Sequence, residues 1–98
     1  MRFLAIEDEG VTECEITSEV DDFLEAVKAT CDDEYTLLDF LNDAKEQAEV
    51  TLALADLVEG GYLKADEPEG VKEHRELAEE SLRTIEILRK RAGELGYL

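Results

Sequence analysis

The chain reads as an α+β domain, mostly helical, in which an N-terminal β-hairpin precedes three helices packed as a small bundle. Three observations point there: β-forming residues flank a polar turn at Gly10, apolar residues recur at helical spacing from Val20 to Leu95, and capping or breaking residues (Ser18, Asp32-Asp33, Gly60-Gly61, Pro68) fall at the joints between those runs. At 98 residues, 44% of them hydrophobic, a single domain is expected. Its core is modest, since a chain of this size buries only about 60 to 65% of its unfolded surface.

Residues 2 to 17 predict the hairpin, because Gly10 ends the turn Glu7-Asp8-Glu9. A three-residue loop Asp8-Glu9-Gly10, with Gly10 left-handed, opposes Leu4 to Cys14, Ile6 to Thr12 and Arg2 to Ile16. Two strands alone are marginal in water, so the hairpin must lie on helices or join the sheet of a second subunit. Ser18 followed by Asp21 resembles a capping box, and Val20, Phe23, Leu24, Val27 and Cys31 then predict a first helix over 19–31. Asp32 and Asp33 offer the next cap. From there Leu37, Leu41, Ala44, Ala48, Thr51, Ala55 and Val58 follow a 3.6 period to Gly60-Gly61, which predicts one helix over 34–59 in preference to a break at Asn42-Asp43. Beyond Pro68 and Gly70, Val71, Ala78, Leu82, Ile85, Leu88 and Ala92 predict a third helix over 69–92, with Gly93 as its stop. Acids crowd the start of that helix and Arg83, Arg89, Lys90 and Arg91 its end, which complements the macrodipole. Glu79 with Arg83 and Glu86 with Lys90 are spaced for i,i+4 pairing.

Charge limits function more than any motif does. Against 27 acids stand 10 bases, a net charge of −17. Such a surface repels nucleic acid and anionic membranes and favours basic protein surfaces. No apolar stretch suits a signal peptide or a membrane span, so a cytoplasmic location is expected. Cys14 and Cys31 form no CxxC pair and read as reduced, half-buried thiols.

Chemistry-bearing motifs are weak. Acidic pairs at i,i+3 occur eight times, against about seven expected from random placement of the 27 acids. Glu46 and Glu49 together with Glu73 and Glu76 loosely resemble the paired ExxE and ExxD signature of the all-α nucleotide pyrophosphatases, but the second pair lacks its Asp and no basic cluster stands near it for phosphates. Asp56 shares a narrow stripe with Glu49, Ala53 and Gly60 and so marks the solvent line of its helix. His74, the one histidine, lies between Glu73 and Arg75 with no paired Cys or His ligands and no nucleophile placed beside it. The run Leu54-Ala55-Asp56-Leu57-Val58-Glu59-Gly60-Gly61-Tyr62-Leu63 resembles the end of a recognition helix entering the wing of a winged-helix domain. That resemblance implies a wing built from 62–65 and 71–75. From Glu46 to Leu63, however, there is no Lys or Arg to meet a phosphate or a guanine edge.

The reading with fewest assumptions is a small acidic protein-interaction module without catalytic activity, metal or cofactor. Its expected surface is the apolar helix face Val50, Leu54, Leu57 and Val58 with the edge of the hairpin, steered by Glu73, Glu76 and Glu80. The partner is expected to be a protein with a basic surface. One domain cannot cover so much apolar circumference, which predicts a homodimer or a partner helix. Nucleic-acid mimicry, a degenerate winged-helix regulator and a carboxylate-metal enzyme are the alternatives. A fourth account makes the acidity an adaptation to a high-salt cytosol.

Overall fold

A computed structural model of the chain shows β1 (Arg2–Glu7) and β2 (Gly10–Glu15) as an antiparallel hairpin, then α1 (Val20–Thr30), α2 (Leu37–Glu59) and α3 (Pro68–Glu94). The expected fold class is the one observed. The structure describes residues 1–7 and 10–98, and the side chains of all of these except 6, 7, 10, 11 and 68.

Both long helices form because apolar residues repeat along one stripe, and they pack antiparallel. Arg89 donates to the Asn42 side chain at 2.8 Å, and about four turns nearer the other end Arg75 reaches Asp56 at 2.5 Å and Glu59 at 2.8 Å. The β-hairpin crosses this pair midway and separates two core clusters. On one side Phe3 and Ile16 join Leu24 of α1, Leu37 and Leu41 of α2, and Ile85 and Leu88 of α3. Phe3 meets Phe23 and Phe40 edge-on, with centroids 5.9 and 6.1 Å away. On the other side Leu4 packs with Ala48, Leu77 and Ala78. α1 covers only the first of these ends, fastened where Arg91 donates to Asp21 at 2.7 and 2.8 Å. That hydrogen-bonded guanidinium holds Asp21 below the usual carboxylate range.

The hairpin is slipped by one residue from the expected register. Phe3 stands opposite Cys14, Leu4 opposite Glu13, and Arg2 opposite Glu15 rather than Ile16. Cys14 therefore shares a face with Phe3, not with Leu4. Glu7 pairs with Gly10, so Gly10 belongs to β2 and the connection shortens to Asp8 and Glu9; the conformation of that turn lies outside the described residues. The cause is that β1 is buried on both faces, Phe3 and Leu4 each being 5% exposed. Alternation in such a strand does not say which face is the solvent side, so it cannot fix the register.

Helix ends differ from expectation for local hydrogen-bonding reasons. Ser18 does not cap α1: the N-cap is Glu19, with no side-chain bond, and the Ser18 hydroxyl donates to the Glu19 carbonyl at 3.1 Å. Asp32 is occupied in a turn, accepting from the amides of Glu34 and Tyr35 at 2.9 and 2.8 Å. α2 therefore starts at Leu37, behind a reciprocal capping box of Thr36 and Asp39. The Tyr35 hydroxyl donates to Asp43 at 2.6 Å, and burial, aided by that carboxylate, pushes the phenol up to about 12. α2 is continuous through Asn42-Asp43. It ends in a Schellman motif, with Gly61 at φ 83° and amides of Gly61 and Tyr62 donating to the carbonyls of Val58 and Leu57. α3 begins at Pro68, so residues 71–75 are helical and build no wing. It also runs through Gly93 and closes at Gly96, φ 78°, with a second Schellman pair, Gly96 to Gly93 and Tyr97 to Ala92. The spaced pairs Glu79–Arg83 and Glu86–Lys90 form no ion pair among the described residues; Lys45–Glu49 and Arg91–Glu94 do. Cys14 and Cys31 are half-buried thiols at the margin of the first cluster, and the Cys14 thiol donates to the Thr12 carbonyl at 3.9 Å. Among the described residues no helix is long and apolar enough to cross a membrane.

Candidate functional site

At the end of the α2–α3 pair that α1 leaves bare, an open groove of about 710 Å³ runs between the C-terminal half of α2 and the N-terminal half of α3. The 3.6 period turns Thr51, Leu54, Ala55 and Val58 toward it from α2, and Val71 and Leu77 from α3. Leu4, on the hairpin face away from Phe3, closes the inner end. Exposed carboxylates stand at its mouth: Glu73 and Glu76 on α3 and Glu13 on β2. Arg2 and His74 are the basic and imidazole groups of the lining.

The expected surface residues separate into three sets. Leu54, Val58, Glu73 and Glu76 are brought together in the groove. Val50 and Leu57 lie beside it on the same helix, 45% and 41% exposed, and continue the apolar stripe outward to Tyr62 and Leu63 beyond the helix end. Glu80 is engaged elsewhere: it accepts from Arg2 Nε at 2.5 Å, while Arg2 Nη1 donates to Glu13 at 2.9 Å. Asp56 does mark the solvent line, with its side chain 69% exposed and bonded to Arg75. The contributions of Arg2, Leu4 and Glu13 were hidden by the register: only with Leu4 opposite Glu13 do they share the groove-facing side of the hairpin.

The outward backbone groups of β1 next to the groove are already paired. The outward amide of Leu4 donates to Ser81 Oγ at 3.0 Å and the outward carbonyl of Arg2 accepts from Thr84 Oγ1 at 2.9 Å, with both hydroxyl residues at or below 2% exposure. α3 thus shields β1 as an edge strand.

The two acidic pairs do not come together. With α2 and α3 antiparallel and Arg75 beside Asp56 and Glu59, Glu73 and Glu76 lie opposite the last turns of α2. Glu46 and Glu49 sit roughly 13 Å further back along that helix. Among the described residues no three His, Cys, Asp or Glu side chains converge closely enough to hold a metal ion. What the site can do is bury an apolar surface and attract positive charge around it. No protein-family model, curated protein or solved structure matches the chain.

Proposed function

We propose that the protein is a small acidic interaction module that docks on a basic protein surface through the bare end of its α2–α3 pair. One observation supports this reading above the others: Leu54, half exposed at 50%, continues into an uncovered stripe with Val50, Leu57, Tyr62 and Leu63, on a chain of net charge −17. Contiguous exposed apolar side chains with a charged rim mark interaction sites on proteins of this size. The stripe supplies the buried contact, and Glu73 and Glu76 supply steering and selection against acidic partners.

The test compares capture from a lysate of the native cells by the wild-type protein and by the double variant Leu54→Asp with Leu57→Asp. Both side chains are exposed enough for the variant to fold, which circular dichroism checks. A basic protein retained by the wild type, released by raised salt and lost from the variant is the expected result. Retention of every captured protein by both forms would remove the stripe from the interaction. A concentration-dependent dimer abolished by the same substitutions would make a second copy the partner instead.

A further inference from the structure

We propose that the groove receives an amphipathic helix of about three turns from another protein, apolar on one face and carrying Lys or Arg along its flanks. This rests on the interaction-module reading and names the chemistry of the partner.

The molecule already shows how its α2–α3 pair takes a third helix. α1, 11 residues long, buries Leu24 and half-buries Val20, Phe23 and Val27 on one side of the hairpin. On the other side the groove is lined along α2 from Gln47 to Val58, about 17 Å at the helical rise, which is the length of a helix like α1. The groove at the bare end is thus as long as α1, and no helix of the described residues covers it.

Charge reverses between the two ends. α1 is acidic in its first turn, at Asp21 and Asp22, and its carboxylate meets Arg91 near the C-terminus of α3. At the groove α3 presents Glu73 and Glu76, with Glu13 across from them, and the lining cation Arg2 is already bonded to Glu13 and Glu80. A helix seated there must therefore bring positive charge. That disfavours a second copy of this chain, which would add its own −17 to the same field.

Backbone accounting selects a helix over a strand. The helices lining the groove satisfy their own amides and carbonyls, and the outward groups of Leu4 and Arg2 are taken by Ser81 and Thr84. An extended segment laid on this apolar floor would bury peptide groups with no partner, whereas a helix brings its hydrogen bonds with it.

The probe is a synthetic peptide of about three turns with Leu at i, i+3, i+4 and i+7 and Lys or Arg elsewhere, beside a scrambled peptide of the same composition. Alone, both are too short to be helical. Fluorescence anisotropy should show the patterned peptide binding the full-length protein, circular dichroism should show it gaining helix, and the scrambled one should do neither. Leu54→Asp, and separately Glu73→Lys with Glu76→Lys, should each weaken binding by about tenfold or more; all three positions are exposed, so the variants fold. Equal binding of the scrambled peptide, binding without a gain of helix, or binding indifferent to both variants would overturn the proposal. If the patterned peptide fails while Leu54→Asp still abolishes capture of a cellular protein, the helix is wrong and the interaction module stands. If capture is also indifferent to Leu54→Asp, both fall.

Discussion

Ser81 and Thr84 stand on the apolar stripe of α3, between Ala78 and Leu88, and are the polar residues buried there. Each bonds the outward edge of β1, one accepting from an amide and one donating to a carbonyl. Because the other edge of β1 is committed to β2, the Leu4 amide has no second acceptor. Ser81→Ala should therefore leave a buried N–H unpaired and cost about 1–3 kcal/mol, whereas Thr84→Ser, which keeps the hydroxyl, should cost clearly less than Thr84→Val. Urea denaturation at unchanged slope measures both; a Ser81→Ala midpoint indistinguishable from wild type would mean that water or a shifted strand satisfies the amide. Nothing in the sequence singled out these hydroxyls. A small Ser or Thr on an apolar helix face is ordinary filler until the strand that crosses it is known.

Among the elements, two glycines three residues apart in α3 and its cap have opposite roles. Gly93 is inside the helix with open space where a Cβ would go, while Gly96 carries φ 78° at the Schellman turn. Gly93→Ala should stabilise by about 0.5–1 kcal/mol through helix propensity, and Gly96→Ala should destabilise by a similar amount through left-handed strain. Thermal unfolding of the two variants reads the signs directly, and matching signs would refute the assignment of the helix end. The sequence placed the stop at Gly93 because a glycine after the last apolar positions is the usual signal. The helix in fact ends where Tyr97 can fold back, with its amide on Ala92 and its ring under Lys28 at 4.1 Å. The same limit explains the hairpin. Its existence and rough span were legible from β-formers around a polar turn, but its register was not, because burial of both Phe3 and Leu4 removes the one-sided pattern that fixes pairing. Half of the groove was readable for the complementary reason: Leu54, Val58, Glu73 and Glu76 follow helical period alone, whereas Leu4 and Glu13 depend on a strand pairing.

Over the whole molecule the charge poses a question of scale. Seven ion pairs join four cations, Arg2, Lys45, Arg75 and Arg91, to seven carboxylates among the described residues, so most of the acids keep no such neighbour. An accessible surface of 6755 Å² shared by 27 acids gives each about 250 Å², a mean spacing of about 16 Å, to be compared with a Debye length of about 30 Å at 0.01 M salt and about 10 Å at 0.1 M. Repulsion between neighbours is thus felt in dilute buffer and largely screened at physiological ionic strength. The melting temperature should rise steeply between about 0.01 and 0.15 M potassium chloride and then flatten. Magnesium chloride at matched ionic strength should follow the same curve, because among the described residues no cluster of ligands is built to hold the ion. A chain shaped by a high-salt cytosol behaves differently: it stays unfolded in dilute buffer and keeps gaining stability into the molar range. A plateau near physiological salt leaves the acidity free to serve recognition, at the one end of the helix pair where α1 does not reach and the carboxylates of α3 face an uncovered apolar floor. A continued rise would detach the charge from any partner and make it a property of the solvent in which the protein works.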